Sequence, residues 1–255
     1  AYDVRGVVPD QFDSNLAHDI GAAFVRVIGA AARDGGPGAV VIGHDMRPSG
    51  PDLVAAFADG VTEQGCDVIR IGLCSTDGMY FASGTTGLPG AMFTASHNPA
   101  QYNGIKLCRS GASPVGQDTG LAAIKQMVID GVPTFDGPAG YVRDEDMLVP
   151  YAEYLRHLVG VQDIRPLKVV IDAGNGMAGY TAPAVLGGLP LDITELYFEL
   201  DGNFPNHEAN PIDPANMVDT QRAVLEVGAD IGLAFDGDAD RCFVVDERGE
   251  IVNPS

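Results

Sequence analysis

Residues 231–241, Ile-Gly-Leu-Ala-Phe-Asp-Gly-Asp-Ala-Asp-Arg, join a short apolar run to a loop that carries three aspartates. The run from Ile231 to Phe235 has the length of a buried strand, and a helical pattern from Met217 to Glu226 precedes it. A helix followed by a strand that opens into a polar loop is typical of α/β folds, in which ligands bind outside the carboxyl ends of the strands. This stretch therefore predicts a class of fold and the position of a site.

The rest of the chain repeats this alternation. Helices are predicted in the apolar-periodic segments that contain Leu16, Leu53, Leu121 and Val149, and the first is expected to end near Gly35. Strands are predicted over 39–42, 68–73, 91–94, 102–107, 167–171 and 193–197. Because residues 131–140 are rich in Gly and Pro, we place a domain boundary just beyond them. The sequence thus predicts two consecutive α/β domains, residues 1–144 and residues 145–255.

Composition restricts the partners. A formal net charge of -20 repels nucleic acid and anionic membrane surfaces. No run approaches the roughly 20 apolar residues of a membrane span. The four cysteines show no C-x-x-C spacing, so we expect reduced, mostly buried thiols. Together, the charge, the lack of a long apolar run and the cysteines predict a cytoplasmic protein with no nucleic-acid or membrane partner. Nothing in the sequence determines the oligomeric state.

Positive charge is scarce, with 15 Lys plus Arg in the chain. Arg5, Arg47, Lys106 and Arg241 all lie in or beside polar, glycine-rich turns, where an anionic substrate could be bound. For any one of them alone, ordinary solvated charge is the simpler interpretation.

Asp236, Asp238 and Asp240 are the strongest chemical signal. Alternate aspartates separated only by Gly and Ala concentrate hard oxygen ligands in one turn, which suits Mg2+ or Ca2+. A solvated acidic turn is the simpler alternative, but three adjacent carboxylates repel one another unless a cation or hydrogen bonds compensate. The pattern therefore favours a metal site.

Other uses of this loop remain open. A calcium EF-hand would use Glu247, the twelfth residue counted from Asp236, but Arg241 replaces the glycine that such a loop requires. A phosphatase of the haloacid-dehalogenase type would use Asp236 as nucleophile and Asp238 as acid, and it needs a downstream lysine and further carboxylates. The non-enzymatic alternative is a metal-binding α/β module with a structural role.

Ser96 follows a predicted strand in a turn set by Asn98 and Pro99, so we expect its hydroxyl at the tip of the loop rather than buried. A serine in such a turn is more often a local hydrogen-bonding residue than a nucleophile. The hydrolase elbow G-x-S-x-G is absent because Thr94 and Asn98 replace its glycines. Taken alone, Ser96 is a weak candidate.

The loop that carries Asp236, Asp238 and Asp240 (residues 236–241, the aspartate loop) strengthens the case for Ser96 as a phosphoryl carrier. A seryl phosphate carries about two negative charges, so its storage and transfer call for a cation. Lys106 and Arg5 could neutralise the phosphoryl group as it moves. His97 could hydrogen-bond the loop or the phosphate, with a structural histidine as the alternative, and Asn98 is first of all a turn former.

Five segments carry a resemblance to a known family: residues 2–6 (YDVRG), 94–99 (TASHNP), 102–106 (YNGIK), 202–207 (GNFPNH) and 236–241 (DGDADR). Through them the chain resembles the α-D-phosphohexomutase family, in particular bacterial phosphomannomutase/phosphoglucomutase. The resemblance extends over nearly the whole chain. The serine loop (residues 94–99) and the aspartate loop (residues 236–241), in this order and at this separation, are highly specific together.

The resemblance implies a mixed-sheet fold with helices on both faces, the first two domains of a four-domain enzyme. That enzyme would interconvert hexose 1-phosphates and hexose 6-phosphates through phosphoserine and a hexose 1,6-bisphosphate. It implies Mg2+ held by the three aspartates and the seryl phosphate on Ser96. Catalysis would fall to Ser96, Lys106, Arg5 and His97, and phosphate binding to Arg5, Asn98, Lys106 and Arg241. In such enzymes the third domain carries the sugar-recognition loop and the fourth carries the loop that grips the non-reacting phosphate. We therefore expect this chain to be truncated, with little or no turnover by itself.

Overall fold

The structure is a computed structural model that describes residues 3–30, 38–161 and 164–253. Its contacts divide the chain into two units. The first comprises Ala1–Leu73, Gly78–Ala95 and Gln101–Met147, and the second comprises Cys74–Asp77, Ser96–Ala100 and Leu148–Ser255. The two short segments of the second unit follow strands of the first. The predicted domain boundary near residue 144 remains a prediction.

The first unit contains a mixed sheet. Its strands are β1 (Val4–Val7), β2 (Ala39–His44), β3 (Asp67–Leu73), β4 (Gly90–Phe93), β5 (Tyr102–Arg109), β6 (Ser113–Pro114) and β7 (Val142–Asp144). The order is β1-β5-β4-β2-β3-β7, with β6 paired to β5. Strands β4, β2, β3 and β7 are parallel, whereas β5 is antiparallel to both β4 and β1.

Four helices accompany these strands in the sequence: α1 (Ser14–Ile28), α2 (Gly50–Glu63), α3 (Thr76–Thr86) and α4 (Leu121–Asp130). The core of the first unit is apolar and includes three phenylalanines from α1, α2 and β4. Phe57 packs 6.1 Å from Phe24 and 5.4 Å from Phe93, measured between ring centroids. Apolar burial of this kind is the main stabilising contribution to such a unit.

Helix α1 ends earlier than the sequence predicts. Gly29 adopts a left-handed conformation with φ of 79° and donates its backbone N–H to the carbonyl of Val25, which is the geometry of a glycine helix cap. The expected end near Gly35 lies outside the described residues.

The second unit has a four-stranded sheet in the order β11-β10-β8-β9. Its strands are β8 (Leu167–Asp172), β9 (Leu191–Leu196), β10 (Ile231–Phe235) and β11 (Cys242–Val245), and its helices are α5 (Leu148–Val159), α6 (Ala178–Leu186) and α7 (Val218–Val227). Strands β9, β8 and β10 are parallel, and β11 is antiparallel to β10. The predicted α/β class with mixed sheets is confirmed.

The register of β8 and β10 determines where the polar loops emerge. Ala234 pairs with Asp172, so the two strands end at the same edge of the sheet. Residues 172–176 and 236–241 therefore leave the sheet side by side, as expected for the carboxyl ends of parallel strands.

Three of the four cysteines, Cys66, Cys74 and Cys108, are buried thiols, and Cys242 is exposed. None of the four forms a disulfide, which agrees with the sequence-based expectation. Among the described residues, no helix is both long and apolar enough to cross a membrane.

Candidate functional site

The aspartate loop begins directly after β10 and brings three carboxylates together. Asp236, Asp238 and Asp240 each present one carboxylate oxygen, and these three oxygens lie within 4.8 Å of one another. Asp236 and Asp238 are completely buried. A concentration of carboxylate oxygens of this kind matches the donors preferred by Mg2+ and Ca2+. The donor set therefore fits the predicted metal.

Two backbone features shape this loop. Ala239 adopts a positive φ of 57°, and its N–H donates to the carbonyl of Asp236. The carbonyl of Gly237 accepts a hydrogen bond from the N–H of Met177, which belongs to the loop after β8. The loop after β8 thus supports the aspartate loop from the neighbouring strand.

Gly176 is required for that support. A Cβ atom at residue 176 would lie 2.7 Å from the carbonyl oxygen of Gly237 and 2.9 Å from its Cα, which is closer than side chains approach a backbone. Any larger residue would displace one loop from the other.

Burial and like charge act together on Asp236. Burial, followed by the neighbouring Asp238 carboxylate, raises the pKa of Asp236 to about 7, while the Arg241 guanidinium opposes both. A cation among these carboxylates would relieve the same repulsion.

Ser96 lies in contact with this loop. Its hydroxyl donates to Oδ2 of Asp236 across 2.9 Å, and Nη2 of Arg241 donates to the same hydroxyl oxygen across 2.5 Å. The hydroxyl is not at an exposed tip, since Ser96 is only 4% exposed, and our expectation of a presented side chain was wrong. The reason is that the turn closes onto the carboxylate and guanidinium.

The backbone of Ser96 is held in an unfavourable conformation. Its φ of 51° lies in the left-handed region, which residues other than glycine rarely adopt. Such strain costs roughly 1–3 kcal/mol and persists only where surrounding contacts enforce it. Here the contacts with Asp236 and Arg241 fix the serine.

Arg241 connects the predicted site residues of the second unit. Its Nε donates to Oδ2 of Asp236 across 2.8 Å, and its Nη2 contacts the same oxygen. Nη2 also lies 2.6 Å from Nδ1 of His97, and because a guanidinium offers only donors, this histidine nitrogen is the acceptor of that hydrogen bond. The guanidinium lies 3.5 Å from Asp240 as well.

The remaining predicted residues are distributed over both units. Asn98 is half-buried in the serine loop of the second unit. Arg5 and Lys106 belong to the first unit, on β1 and β5, where Arg5 is opposite Gly104 and Lys106 is opposite Met92. Arg5 forms an ion pair with Asp3 at 2.5 Å. Their assigned roles remain predictions.

The EF-hand alternative does not fit the structure. The segment after Arg241 is strand β11, and Glu247 follows in the turn beyond it. An EF-hand loop would lead into a helix at this point.

Sequence reasoning did not identify Thr76 as part of this site. Its hydroxyl donates to Oδ2 of Asp238 across 2.6 Å, and both residues are completely buried. A lone threonine after a strand carries no recognisable signal, and 162 residues separate the pair in the chain.

A buried serine joined to a guanidinium and three carboxylates on an α/β scaffold has the composition of a metal-assisted phosphoryl-transfer site. Comparison with known families agrees with this class. Residues 1–131 match the family described as phosphoglucomutase/phosphomannomutase, alpha/beta/alpha domain I, and residues 150–249 match its alpha/beta/alpha domain II. The chain belongs to the phosphoglucomutase/phosphomannomutase family.

Individual relatives cover the whole chain. A protein of Xanthomonas campestris pv. campestris named as a phosphohexose mutase is 42% identical over 253 residues, which are 99% of this chain and 55% of the relative. The phosphomannomutase of Escherichia coli K12 is 37% identical over 260 residues, covering 99% of this chain and 56% of the relative. The chain thus spans about 55% of the length of the relative from Xanthomonas.

A solved structure supports the fold directly. The crystal structure of a phosphoglucomutase/phosphomannomutase family protein from Burkholderia thailandensis has a TM-score of 0.88 and 37% identity to this chain, and the alignment covers 100% of this chain and 55% of the other. These likenesses confirm the predicted family and fold, and nothing in them favours the haloacid-dehalogenase alternative.

Proposed function

We propose that this chain supplies the phosphoserine and metal-binding parts of a phosphohexomutase that interconverts hexose 1-phosphates and hexose 6-phosphates. The observation that carries the proposal is the contact between Ser96 Oγ and the aspartate loop, 2.9 Å from Asp236. Family membership and the names of the relatives support the same reaction.

The surroundings of Ser96 suit both directions of phosphoryl transfer. When the phosphoryl group leaves Ser96, a hydroxyl oxygen of the hexose phosphate forms a bond to phosphorus and gives up its proton, while the bond between phosphorus and Oγ breaks and negative charge develops on Oγ. Arg241 Nη2, 2.5 Å from that oxygen, can stabilise the charge. When the phosphoryl group returns, Oγ of Ser96 forms a bond to phosphorus while the bond between phosphorus and the sugar oxygen of the bisphosphate breaks and that oxygen is protonated. The Ser96 proton faces the Asp236 carboxylate, which can accept it.

The three aspartates would hold a Mg2+ ion together with the seryl phosphate. Bound there, Mg2+ would supply positive charge against the phosphoryl oxygens. Around this loop, Arg241 contributes one cation against three carboxylates, and a seryl phosphate adds about two more negative charges. The charge balance therefore supports a divalent cation.

Arg5 and Lys106 are proposed as electrostatic and proton-transfer groups. His97 and Asn98 are proposed to orient the serine loop and its phosphate, and Arg241 to hold the phosphate. The hydrogen bond from Arg241 to His97 supports the assignment for His97. The proposed partners are hexose phosphates and a hexose 1,6-bisphosphate, and the proposed location is the cytoplasm.

The test is to incubate the chain with glucose 1,6-bisphosphate and Mg2+ and to locate any acquired phosphoryl group by intact mass and peptide mapping. We expect one phosphoryl group on Ser96, stable to hydroxylamine. Ser96→Ala should acquire none. Ser83→Ala is the matched control, because Ser83 is also a buried serine but its hydroxyl donates to the carbonyl of Leu88.

Two results would count against the proposal. A hydroxylamine-labile group on Asp236 would instead indicate an aspartyl-phosphate phosphatase. Equal labelling of wild type and Ser96→Ala would remove the role of Ser96 altogether and favour a structural metal-binding module.

A further inference from the structure

Thr76 is a buried residue at the start of α3, directly after the segment that leaves β3. Its exposed fraction is 0%, and so is that of Asp238. Both residues belong to the second unit, in which Cys74–Asp77 joins the residues of the aspartate loop. Their contact is therefore a feature of that unit.

Two hydrogen bonds join Thr76 to Asp238. The Oγ1 hydroxyl donates to Oδ2 of the carboxylate across 2.6 Å. The backbone N–H of Thr76 donates to the backbone carbonyl of the same aspartate across 3.1 Å. One residue thus fixes both the backbone and the side chain of a predicted metal ligand.

The chemistry of this contact favours orientation of the carboxylate. A hydroxyl that donates to an ionised carboxylate forms a short, charge-assisted bond. The β-branched threonine side chain has few rotamers, so the direction of its hydroxyl is restricted. Because both residues are completely buried, rotation of the Asp238 carboxylate would break this bond and leave the hydroxyl unsatisfied, which restrains the plane of the carboxylate.

We propose that Thr76 is a positioning residue of the metal loop, which holds the Asp238 carboxylate in the orientation that binds Mg2+. Thr76 acts through Asp238 and has no assigned contact with substrate. The inference rests on the proposed function, because it assumes that the three aspartates bind a cation. Thr76 would then contribute to Mg2+ affinity although it lies 162 residues from Asp238 in the sequence.

The test is Mg2+ affinity measured by isothermal titration calorimetry on the folded chain. Thr76→Val keeps the shape and the backbone N–H but removes the hydroxyl, and we expect Mg2+ binding to weaken by about 10- to 100-fold, as for other residues that orient metal ligands. Thr76→Ser retains a hydroxyl, so its Mg2+ affinity should stay close to that of wild type.

Thr220→Val is the matched control. Thr220 is also fully buried, and its hydroxyl donates across 2.8 Å to Oδ2 of the buried Asp172, which lies outside the aspartate loop. This variant loses the same kind of hydrogen bond and should leave Mg2+ affinity within about twofold of wild type, because it orients no proposed ligand. A loss of affinity in Thr76→Val alone separates positioning from general destabilisation.

If Thr76→Val does not fold, Thr76→Ser and Thr76→Ala provide the comparison, since they differ only by the hydroxyl. Wild-type affinity in Thr76→Val or Thr76→Ala, or equal losses in Thr76→Val and Thr220→Val, would overturn the inference while leaving the metal site intact. If the wild-type chain bound no Mg2+, the metal part of the proposed function would fail first, and the inference with it.

Discussion

The hydroxyl of Ser96 donates a hydrogen bond to Oδ2 of Asp236 across 2.9 Å, although 140 residues separate the two in the chain. Arg241 contacts both Oγ of Ser96 and Oδ2 of Asp236, so a hydroxyl, a carboxylate and a guanidinium form one hydrogen-bonded cluster. This relationship makes a turn serine a candidate phosphoryl carrier, and it makes Arg241 the candidate for stabilising negative charge on Oγ.

Replacing Arg241 by lysine should slow phosphoryl transfer to Ser96. A guanidinium donates to several acceptors in a fixed plane, whereas an ammonium group cannot reproduce the contacts with Asp236, Ser96 and His97 together. We expect the rate of labelling by glucose 1,6-bisphosphate to fall about 100- to 1,000-fold, the usual effect of losing a charge-stabilising donor.

The control for this substitution is Arg222→Lys. Arg222 is an exposed arginine on α7 that pairs with Asp219. Unchanged labelling in Arg222→Lys is expected, and an unchanged rate in Arg241→Lys would show that the guanidinium geometry is dispensable.

Gly176→Ala should displace the aspartate loop. The new Cβ would meet the backbone of Gly237 at 2.7 Å, so we expect a loss of about 1–3 kcal/mol in the free energy of unfolding. Mg2+ binding should weaken as well, because the affected backbone lies between Asp236 and Asp238. Urea unfolding and calorimetric Mg2+ titration measure the two effects.

Gly84→Ala is the matched control for Gly176→Ala. Gly84 lies in α3, where an added Cβ atom would meet nothing within 4 Å beyond its chain neighbours and the backbone of its own helix, and alanine there should stabilise the chain by up to about 1 kcal/mol. Equal behaviour of the two variants would contradict the requirement for glycine at residue 176.

His207 should give the stability a distinct pH dependence. Its Nε2 lies 3.1 Å from Oδ2 of the buried Asp172. Burial, the largest influence, lowers its pKa, but the hydrogen bond with Asp172 and the nearby negative charges outweigh burial and raise the pKa of His207 above its ordinary value. The pKa of His207 is thus higher in the folded chain than in the unfolded chain. The stabilisation from its contact with Asp172 is therefore complete below about pH 6.5 and is lost as pH rises through the folded pKa.

The measurement is the free energy of unfolding of wild type and His207→Gln from acidic to mildly alkaline pH. The advantage of wild type should shrink as pH rises above about 6.5. Burial lowers the pKa of His18, but its hydrogen bonds with Asp19 and Glu63 outweigh burial and raise that pKa as well, so the comparison is repeated in a His18→Gln background. A difference that grows with pH would contradict the assigned direction.

Removing Arg47 should destabilise the first unit strongly. Arg47 and Asp45 form an ion pair at 3.3 Å in which both side chains are fully buried, and the guanidinium also donates to the carbonyl of Tyr102. Arg47→Leu would leave a buried carboxylate without its countercharge, at a cost of about 3–5 kcal/mol. Arg70→Leu breaks an exposed pair with Asp144 and should cost no more than about 1 kcal/mol. Equal costs in thermal unfolding would contradict this difference.

The sequence predicted those elements whose apolar pattern is regular. The strand over residues 39–42 and the helix through Leu53 were both recovered as β2 and α2, because continuous apolar runs and helical spacing reflect burial directly. Helix α3 was not predicted, since Gly78, Gly84 and its terminal threonines are weak helix formers with no clear apolar face.

The clustering of the three aspartates was predicted better than the packing around Ser96. The aspartate loop was evident from spacing alone, whereas the burial of Ser96 depends on contacts with residues 140 or more positions away. Arg47 was indistinguishable from a solvated arginine for the same reason, because its countercharge and its contact with Tyr102 arise only in the folded chain. Local sequence carries little information about such long-range contacts.

The most direct test of the central claim is phosphorus NMR of the chain phosphorylated on Ser96, titrated with Mn2+ in place of Mg2+. Mn2+ is paramagnetic and takes similar oxygen ligands. If the seryl phosphate and the three aspartates share one cation, the phosphoserine resonance should broaden as the first equivalent of Mn2+ binds, and it should stay sharp in Asp238→Asn at the same Mn2+ concentration. A resonance that stays sharp in the wild-type chain while Mn2+ is bound would contradict the account.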